Sequence, residues 1–176
     1  TAELEALRDQ GAAIRAAALA DLPQLLETLE RNCTANGIQI HWAEDATAGN
    51  RIVAEIMARA GAELLIKGKS MVSEEMGLNH YLERLGVEVV ETDLGEFIIQ
   101  HALETPSHIV APAVHKDRHE IAELFRAKFP ASLADGPQGE DIEALTACAR
   151  QLLRVKFQQA RVGLSGVNFA VAETGT

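Results

Sequence analysis

Residues 64–70 have the sequence Leu64-Leu65-Ile66-Lys67-Gly68-Lys69-Ser70, and this stretch decides the fold. Its first three residues form a short apolar run, which is typical of a strand buried on both faces of a parallel sheet. Ser73 can cap a helix that reaches Leu85, and residues 87–90 predict a second strand. A strand, a helix and a second strand in this order predict a βαβ unit.

The same alternation continues on both sides of this unit. We predict further short strands over residues 38–42, 108–111 and 167–172. Helices are predicted in the regions 52–61, 94–102, 117–129 and 142–153, with a loop over 131–140 and two helical segments before Asn36. The predicted fold class is therefore α/β, with a mostly parallel sheet flanked by helices and an amino-terminal helical extension.

Composition limits the classes of function. The 176 residues suit one domain, and a net charge of -10 argues against a protein that binds the phosphate backbone of nucleic acids. Cys33 and Cys148 are isolated in sequence, which favours a reducing compartment over a disulfide framework. No apolar run approaches the ~20 residues that span a bilayer. We expect a soluble, cytoplasmic domain without a membrane span.

The turn after the first apolar strand is the first candidate site. Lys67 and Lys69 supply positive charge, Gly68 permits close approach of the backbone, and the amides after Ser70 could hold an anion. A nucleotide P-loop is excluded because position 63 is Glu63 where that motif requires glycine. A solvated surface turn is the competing interpretation.

A group of histidines forms the second candidate. His115 and His119 are four residues apart, the spacing of a helical metal pair, and His101 and Lys116 are near them in the sequence. However, Asp117 fits the spacing of a helix capping box, which leaves His115 outside the helix. Polar surface histidines are therefore favoured over a zinc site.

The third candidate is the acidic pair Asp93 and Glu96, which follows the second strand of the βαβ unit. These carboxylates could bind a substrate hydroxyl or transfer a proton. Alternatively, Asp93 caps the helix that begins at Leu94, and this interpretation is favoured.

The end of the sequence is the fourth candidate. A strand over 167–172 would bring Glu173, Thr174 and Thr176 to its carboxyl end, where open α/β sheets bind ligands. Glu173 could act as nucleophile, base or binding carboxylate, or these residues form an ordinary strand-ending turn. No return strand follows, so we interpret the chain as part of a longer protein. An unpaired last strand predicts self-association.

Several strings in order resemble one family: Leu65-Ile-Lys-Gly-Lys-Ser-Met-Val-Ser-Glu-Glu-Met76, Glu91-Thr-Asp-Leu-Gly-Glu-Phe-Ile-Ile-Gln100, Pro106-Ser-His-Ile-Val-Ala-Pro112 and Ser165-Gly-Val-Asn-Phe-Ala-Val-Ala-Glu-Thr-Gly-Thr176. From about Arg8 to Thr176, the chain resembles the amino-terminal domain of the B subunits of the lactate utilisation (LUD) family of iron–sulfur proteins. The helical pattern predicts that residues 1–36 are the amino-terminal extension, and the resemblance implies a LUD-type domain over residues 37–176, truncated at its carboxyl end. It also implies a fold similar to the sugar-isomerase and CoA-transferase type of α/β domain.

The resemblance implies a function in oxidising L-lactate to pyruvate together with other lactate utilisation subunits. In this family, electrons pass through [4Fe–4S] clusters that grouped cysteines bind in a carboxyl-terminal region. This chain has only Cys33 and Cys148, which cannot form a site of four thiolates. We therefore expect the chain alone to bind no cluster and to transfer no electrons.

One shared pocket is the hypothesis for the site. In it Lys69 attracts a small carboxylate such as L-lactate, Ser70 or Asn168 orients it, and Glu173 is the candidate catalytic residue. The full predicted set is Lys67, Lys69, Ser70, Asn168, Glu173 and Thr174. Two alternatives stay open: an enzyme similar to CoA-transferases or isomerases that uses Glu173, and a non-catalytic module that assembles the complex.

Overall fold

The computed structural model of the chain describes residues 1–129 and 141–176. The predicted loop over 131–140 lies outside the described residues. The chain divides into two compact units. We call Thr1–Trp42 with Val167–Thr176 the terminal unit, and Ala43–Gly166 the central unit. The domain boundary predicted between residues 36 and 37 stays a prediction.

The terminal unit contains the predicted pair of helices, α1 (Ala2–Ala20) and α2 (Leu22–Ala35). The strands predicted over 38–42 and 167–172 are wrong, because neither segment belongs to the sheet. Trp42 is 57% exposed and Phe169 is 91% exposed. Alternating apolar residues favour a strand only where one face is buried against other elements, and these side chains remain in solvent.

The central unit contains the sheet and the other helices described by the structure. Its elements are α3 (Ala46–Ala60), β1 (Leu64–Lys67), α4 (Met71–Glu75), α5 (Leu78–Glu83), β2 (Glu88–Glu91), α6 (Leu94–Ala102), α7 (Arg118–Lys128), α8 (Ile142–Gln159) and β3 (Val162–Leu164). The predicted α/β fold class, a parallel sheet flanked by helices, is confirmed.

The sheet has the strand order β2-β1-β3, and β1 pairs in parallel with both neighbours. Successive side chains of a strand point to opposite faces. Accordingly, Val90 packs with α6, α7 and α8 in one apolar cluster, whereas Val89 and Leu65 pack with α3 and α5 in another. The central unit is therefore a sheet between two helical layers.

Three predictions for the central unit need correction. The strand predicted over 108–111 is wrong, since Ile109 and Val110 are exposed and outside the sheet. The third strand is β3, where Gly163 weakens the apolar pattern that would have indicated it. The helix predicted from Ser73 to Leu85 is interrupted at Gly77, which has φ 64° and separates α4 from α5.

Helix ends were predicted more reliably. Asp117 forms the predicted capping box with Glu120 at the start of α7, and Gly61 ends α3 in the left-handed conformation.

Among the residues that the structure describes, no helix has the length and apolar character required to cross a bilayer.

Candidate functional site

The carboxyl ends of β1 and β2 carry a buried ion pair. Lys67 and Glu91 are register partners at the last paired position of the two strands. The Lys67 Nζ atom lies 2.6 Å from Glu91 Oε1, and the two side chains are 0% and 5% exposed. This is the edge at which open α/β sheets bind ligands.

Two amide side chains hold this pair in place. Asn79 of α5 accepts a hydrogen bond from Lys67 Nζ at 3.2 Å and donates one to Glu91 Oε1 at 2.8 Å. Gln100 of α6 accepts from the Glu91 backbone N–H at 3.1 Å and donates to the Val89 carbonyl at 2.6 Å. Asn79 therefore holds the Glu91 carboxylate, whereas Gln100 holds the backbone of β2 that carries it.

Two carboxylate oxygens near the strand ends have no hydrogen-bond partner among the described residues. They are Oε2 of Glu91 and Oε1 of Glu74, and both are buried. A buried acceptor without a donor costs about 1–3 kcal/mol. Both carboxylates therefore keep acceptor capacity that the described residues do not use.

A second ion pair lies beside the first. Lys69, which is 28% exposed, donates a hydrogen bond to Glu96 of α6. Burial lowers the pKa of Lys69, but the hydrogen bond to Glu96 and the charges of Glu96, Glu74 and Asp93 outweigh it, and the pKa is raised. Burial and the charge of Glu96 raise the pKa of Glu74.

A cavity of about 520 Å³ adjoins these groups. This volume lies within the range of small-molecule sites. Apart from His80, the ionisable side chains that line it are all glutamates: Glu74, Glu83, Glu91, Glu96 and Glu104. Leu78, Ile99, Leu103 and Pro106 provide an apolar part of the wall. The cavity therefore combines apolar surface with carboxylates.

The lysine turn is placed by backbone contacts. Gly68 N–H donates to the Leu164 carbonyl at 2.8 Å. Ser70 caps α4 and accepts from the Ser73 N–H at 3.3 Å. The predicted residues Lys67, Lys69 and Ser70 are thus brought together at the carboxyl end of β1, with both ammonium groups paired to carboxylates.

The other predicted site residues lie in the terminal unit. Glu173 and Thr174 occupy a turn over residues 172–175, and Asn168 precedes it; all three are exposed. Asn32 donates to the Glu173 carbonyl at 3.0 Å, and Asn36 donates to the Thr174 carbonyl at 2.7 Å. Helix α2 therefore fixes this turn, and the shared pocket with Lys69 stays a prediction.

The histidine group forms a polar surface network. His115 contacts Ser107 Oγ at 2.7 Å through Nδ1 and Glu104 Oε2 at 2.8 Å through Nε2, and Lys116 Nζ lies 2.7 Å from Glu104 Oε1. His101 instead packs against the ring of Phe97. Within residues 1–129 and 141–176, no three His, Cys, Asp or Glu side chains are grouped so that they could hold a metal ion.

The favoured interpretation of Asp93 is confirmed, because its carboxylate caps α6 and accepts from the Glu96 N–H at 3.1 Å. Sequence reasoning missed Asn79, Glu91 and Gln100 as site residues. A signal existed for Glu91, since a charged residue directly after two valines marks the end of a buried strand. Asn79 and Gln100 lie within helices, where the sequence does not show which amides face the strand ends.

Together, the fold and the site define an α/β domain with a charged cavity at the carboxyl edge of its sheet. The family model of the LUD domain matches residues 26–176. The chain therefore belongs to the LUD domain family.

Curated relatives extend over nearly the whole chain. The relative named uncharacterized electron transport protein YkgF, from Escherichia coli (strain K12), is 41% identical over 98% of this chain and 35% of its own length. Lactate utilization protein B of Bacillus cytotoxicus is 39% identical, and that of Bacillus thuringiensis 38% identical, over the same shares. The chain thus spans about a third of the length of these relatives. No solved structure shows a significant match.

Proposed function

We propose that the protein containing this chain takes part in the oxidation of L-lactate to pyruvate. The observation that carries the proposal is the similarity to proteins named lactate utilization protein B, at 38–39% identity over 98% of the chain. The name of YkgF adds a function in electron transport among the relatives. Two free cysteines, Cys33 and Cys148, support a reducing, cytoplasmic location.

The proposed reaction needs an electron acceptor. L-lactate becomes pyruvate when it releases two electrons and two protons, and iron–sulfur clusters of the [4Fe–4S] type are the proposed acceptors. The residues of this chain do not fit such a cluster, because Cys33 and Cys148 are its only cysteines and four thiolates are required. Any cluster would therefore be held outside this chain, and other lactate utilisation subunits are the proposed partners.

The lysine turn is the proposed contact for the substrate. Lys69 keeps 28% of its side chain exposed, so its ammonium group can donate to a lactate carboxylate while it stays paired with Glu96. Ser70 lies next to it at the start of α4. Lys67 is fully buried, so its proposed function is to position Glu91. Asn168 and Thr174 stay proposed substrate-binding residues, and Glu173 stays the proposed catalytic residue.

The test measures lactate-dependent reduction of an artificial electron acceptor by the intact complex. Lys69→Gln in the full-length protein should raise the KM for L-lactate at least about tenfold, because one hydrogen bond to a charged group contributes about 1.5–3 kcal/mol. Lys156→Gln is the matched control, since Lys156 forms an exposed pair with Glu88. An intact complex that does not oxidise L-lactate would refute the proposed function.

Two measurements separate the alternative functions. Normal lactate oxidation by the variants Lys69→Gln and Glu173→Gln would support a non-catalytic assembly module and would exclude the proposed substrate contact. Incubation with acyl-CoA followed by mass spectrometry tests the transferase alternative. A covalent adduct on Glu173, absent in Glu173→Gln, would support an enzyme of that class.

A further inference from the structure

The cavity wall carries more negative charge than its ion pairs neutralise. Lys67 pairs with Glu91 and Lys69 pairs with Glu96, while Glu104 pairs with His115 and Lys116. Glu74 also lines the cavity, and no salt bridge to it is formed within the described residues. A ligand that adds positive charge would therefore be favoured.

The unpartnered oxygens define what the ligand must supply. Glu91 lines the cavity, is 4% exposed, and has a buried Oε2 without a donor. Glu74 also lines the cavity and has a buried Oε1 without a donor. Since carboxylates accept hydrogen bonds, the ligand must supply N–H or O–H donors. Positively charged donors form the stronger bonds.

Two ligand classes fit this cavity poorly. A metal ion would need carboxylates that converge on one point, and the described side chains form no such group. A small carboxylate such as lactate would meet a wall whose side chains of fixed charge are all acidic. The apolar residues Leu78 and Ile99 in the same wall favour a ligand with a hydrocarbon portion.

We infer that this cavity binds a small organic cation whose ammonium groups donate to Glu91 and Glu74, with its carbon chain against Leu78 and Ile99. This ligand is distinct from the lactate that we propose at Lys69. Lys69 does not line this cavity. The inference does not depend on lactate oxidation, so the failure of one leaves the other standing.

A series of probes of equal chain length tests the charge of the ligand. We would titrate the full chain with 1,5-diaminopentane, 1,5-pentanediol and glutarate, and follow the backbone amides of Asn79 and Gln100 by NMR. The diamine should bind at least about tenfold more tightly than the diol, since charged donors form the stronger hydrogen bonds. Glutarate should not bind. Equal binding of all three, preference for glutarate, or no binding of the diamine would each overturn the inference.

A pair of neighbouring substitutions tests the site. Glu74→Gln keeps the side-chain shape and removes one carboxylate from the wall, so diamine binding should weaken at least about tenfold. Glu75→Gln is the matched control, because Glu75 is on the same helix, is exposed and does not line the cavity. Equal weakening by both substitutions, or by neither, would exclude this site. Glu91→Gln should also weaken binding; if that variant does not fold, Glu74→Gln alone decides.

Discussion

Lys67 and Glu91 can be buried together because each neutralises the other. Removing one partner of a buried ion pair leaves an uncompensated charge and costs about 3–5 kcal/mol. We expect Lys67→Met to lower the free energy of unfolding by about this amount, because Glu91 is then left buried and unpaired. Urea denaturation followed by circular dichroism measures the change.

A second Lys–Glu pair, whose glutamate also lies on β2, serves as the control. Lys156 contacts Glu88 at 2.5 Å, but both side chains are substantially exposed, so Lys156→Met should cost less than about 1 kcal/mol. The double substitution Lys67→Met with Glu91→Leu should recover much of the lost stability, since no charge stays buried. Equal losses from Lys67→Met and Lys156→Met would contradict the burial argument.

Gly175 permits close contact between the 172–175 turn and α2. It has φ 70°, and a Cβ there would lie 2.5 Å from Asn32 C and Cys33 N. Gly175→Ala should therefore destabilise the terminal unit by more than about 1 kcal/mol, with faster hydrogen exchange at residues 171–176. Gly11→Ala, inside α1 with no atom within 4 Å, should instead stabilise slightly. Unchanged exchange in Gly175→Ala would argue against the packed turn.

The raised pKa of Glu74 predicts a pH-dependent stability. Burial is its largest cause, and Glu96 and Glu91 also raise the pKa, whereas Lys69 and Lys67 lower it. A carboxyl group whose pKa is raised in the folded state favours folding below its ordinary value of 4.5. It loses this contribution as the pH rises through the folded pKa.

Glu74→Gln removes this titration. Its free energy of unfolding relative to the native chain should therefore increase as the pH rises above the ordinary carboxyl value of 4.5. Urea denaturation of both proteins across this range measures the difference, and contributions from other titrating groups cancel in it. A difference that falls or stays constant with pH would show that Glu74 is not held in a desolvating environment.

At the scale of single elements, α7 depends on its capping box. Asp117 accepts from the Glu120 N–H at 2.9 Å, and Glu120 accepts from the Asp117 N–H at 2.9 Å. Asp117→Ala should lower the free energy of unfolding by about 1 kcal/mol, and Asp117→Asn by much less, because asparagine also caps helices. Thermal unfolding of both variants is the measurement. Equal losses would indicate that charge, rather than the cap, stabilises this helix end.

Sequence reasoning found the elements whose signals are local. The cap at Asp117 and the apolar run at Leu64–Ile66 are encoded within a few residues, and both predictions are confirmed. The strands predicted at 38–42, 108–111 and 167–172 failed because alternation does not reveal whether a partner strand exists. Lys67 is predicted as a site residue because it directly follows the apolar strand. Its contacts with Asn79 and Glu91 are formed by tertiary packing, which the local sequence does not show.

At the scale of the whole molecule, exposed apolar side chains predict weak self-association, which stays a prediction. Val167 and Phe169 are 80% and 91% exposed, and adjacent exposed apolar residues favour association. We expect sedimentation velocity to show a concentration-dependent increase in mass that high salt does not abolish, since apolar contacts are not screened. Phe169→Ser with Val167→Thr should reduce this association.

Leu85→Gln provides the control for this last prediction, because Leu85 is a singly exposed leucine of the central unit. It should leave the self-association unchanged, since scattered apolar residues are normal on protein surfaces. A monomer at all concentrations would refute the prediction. Association that disappears on adding salt would point to charge instead, although the net charge of -10 makes identical chains repel each other. If self-association is lost in Phe169→Ser with Val167→Thr but kept in Leu85→Gln, the contact lies in the segment around Phe169.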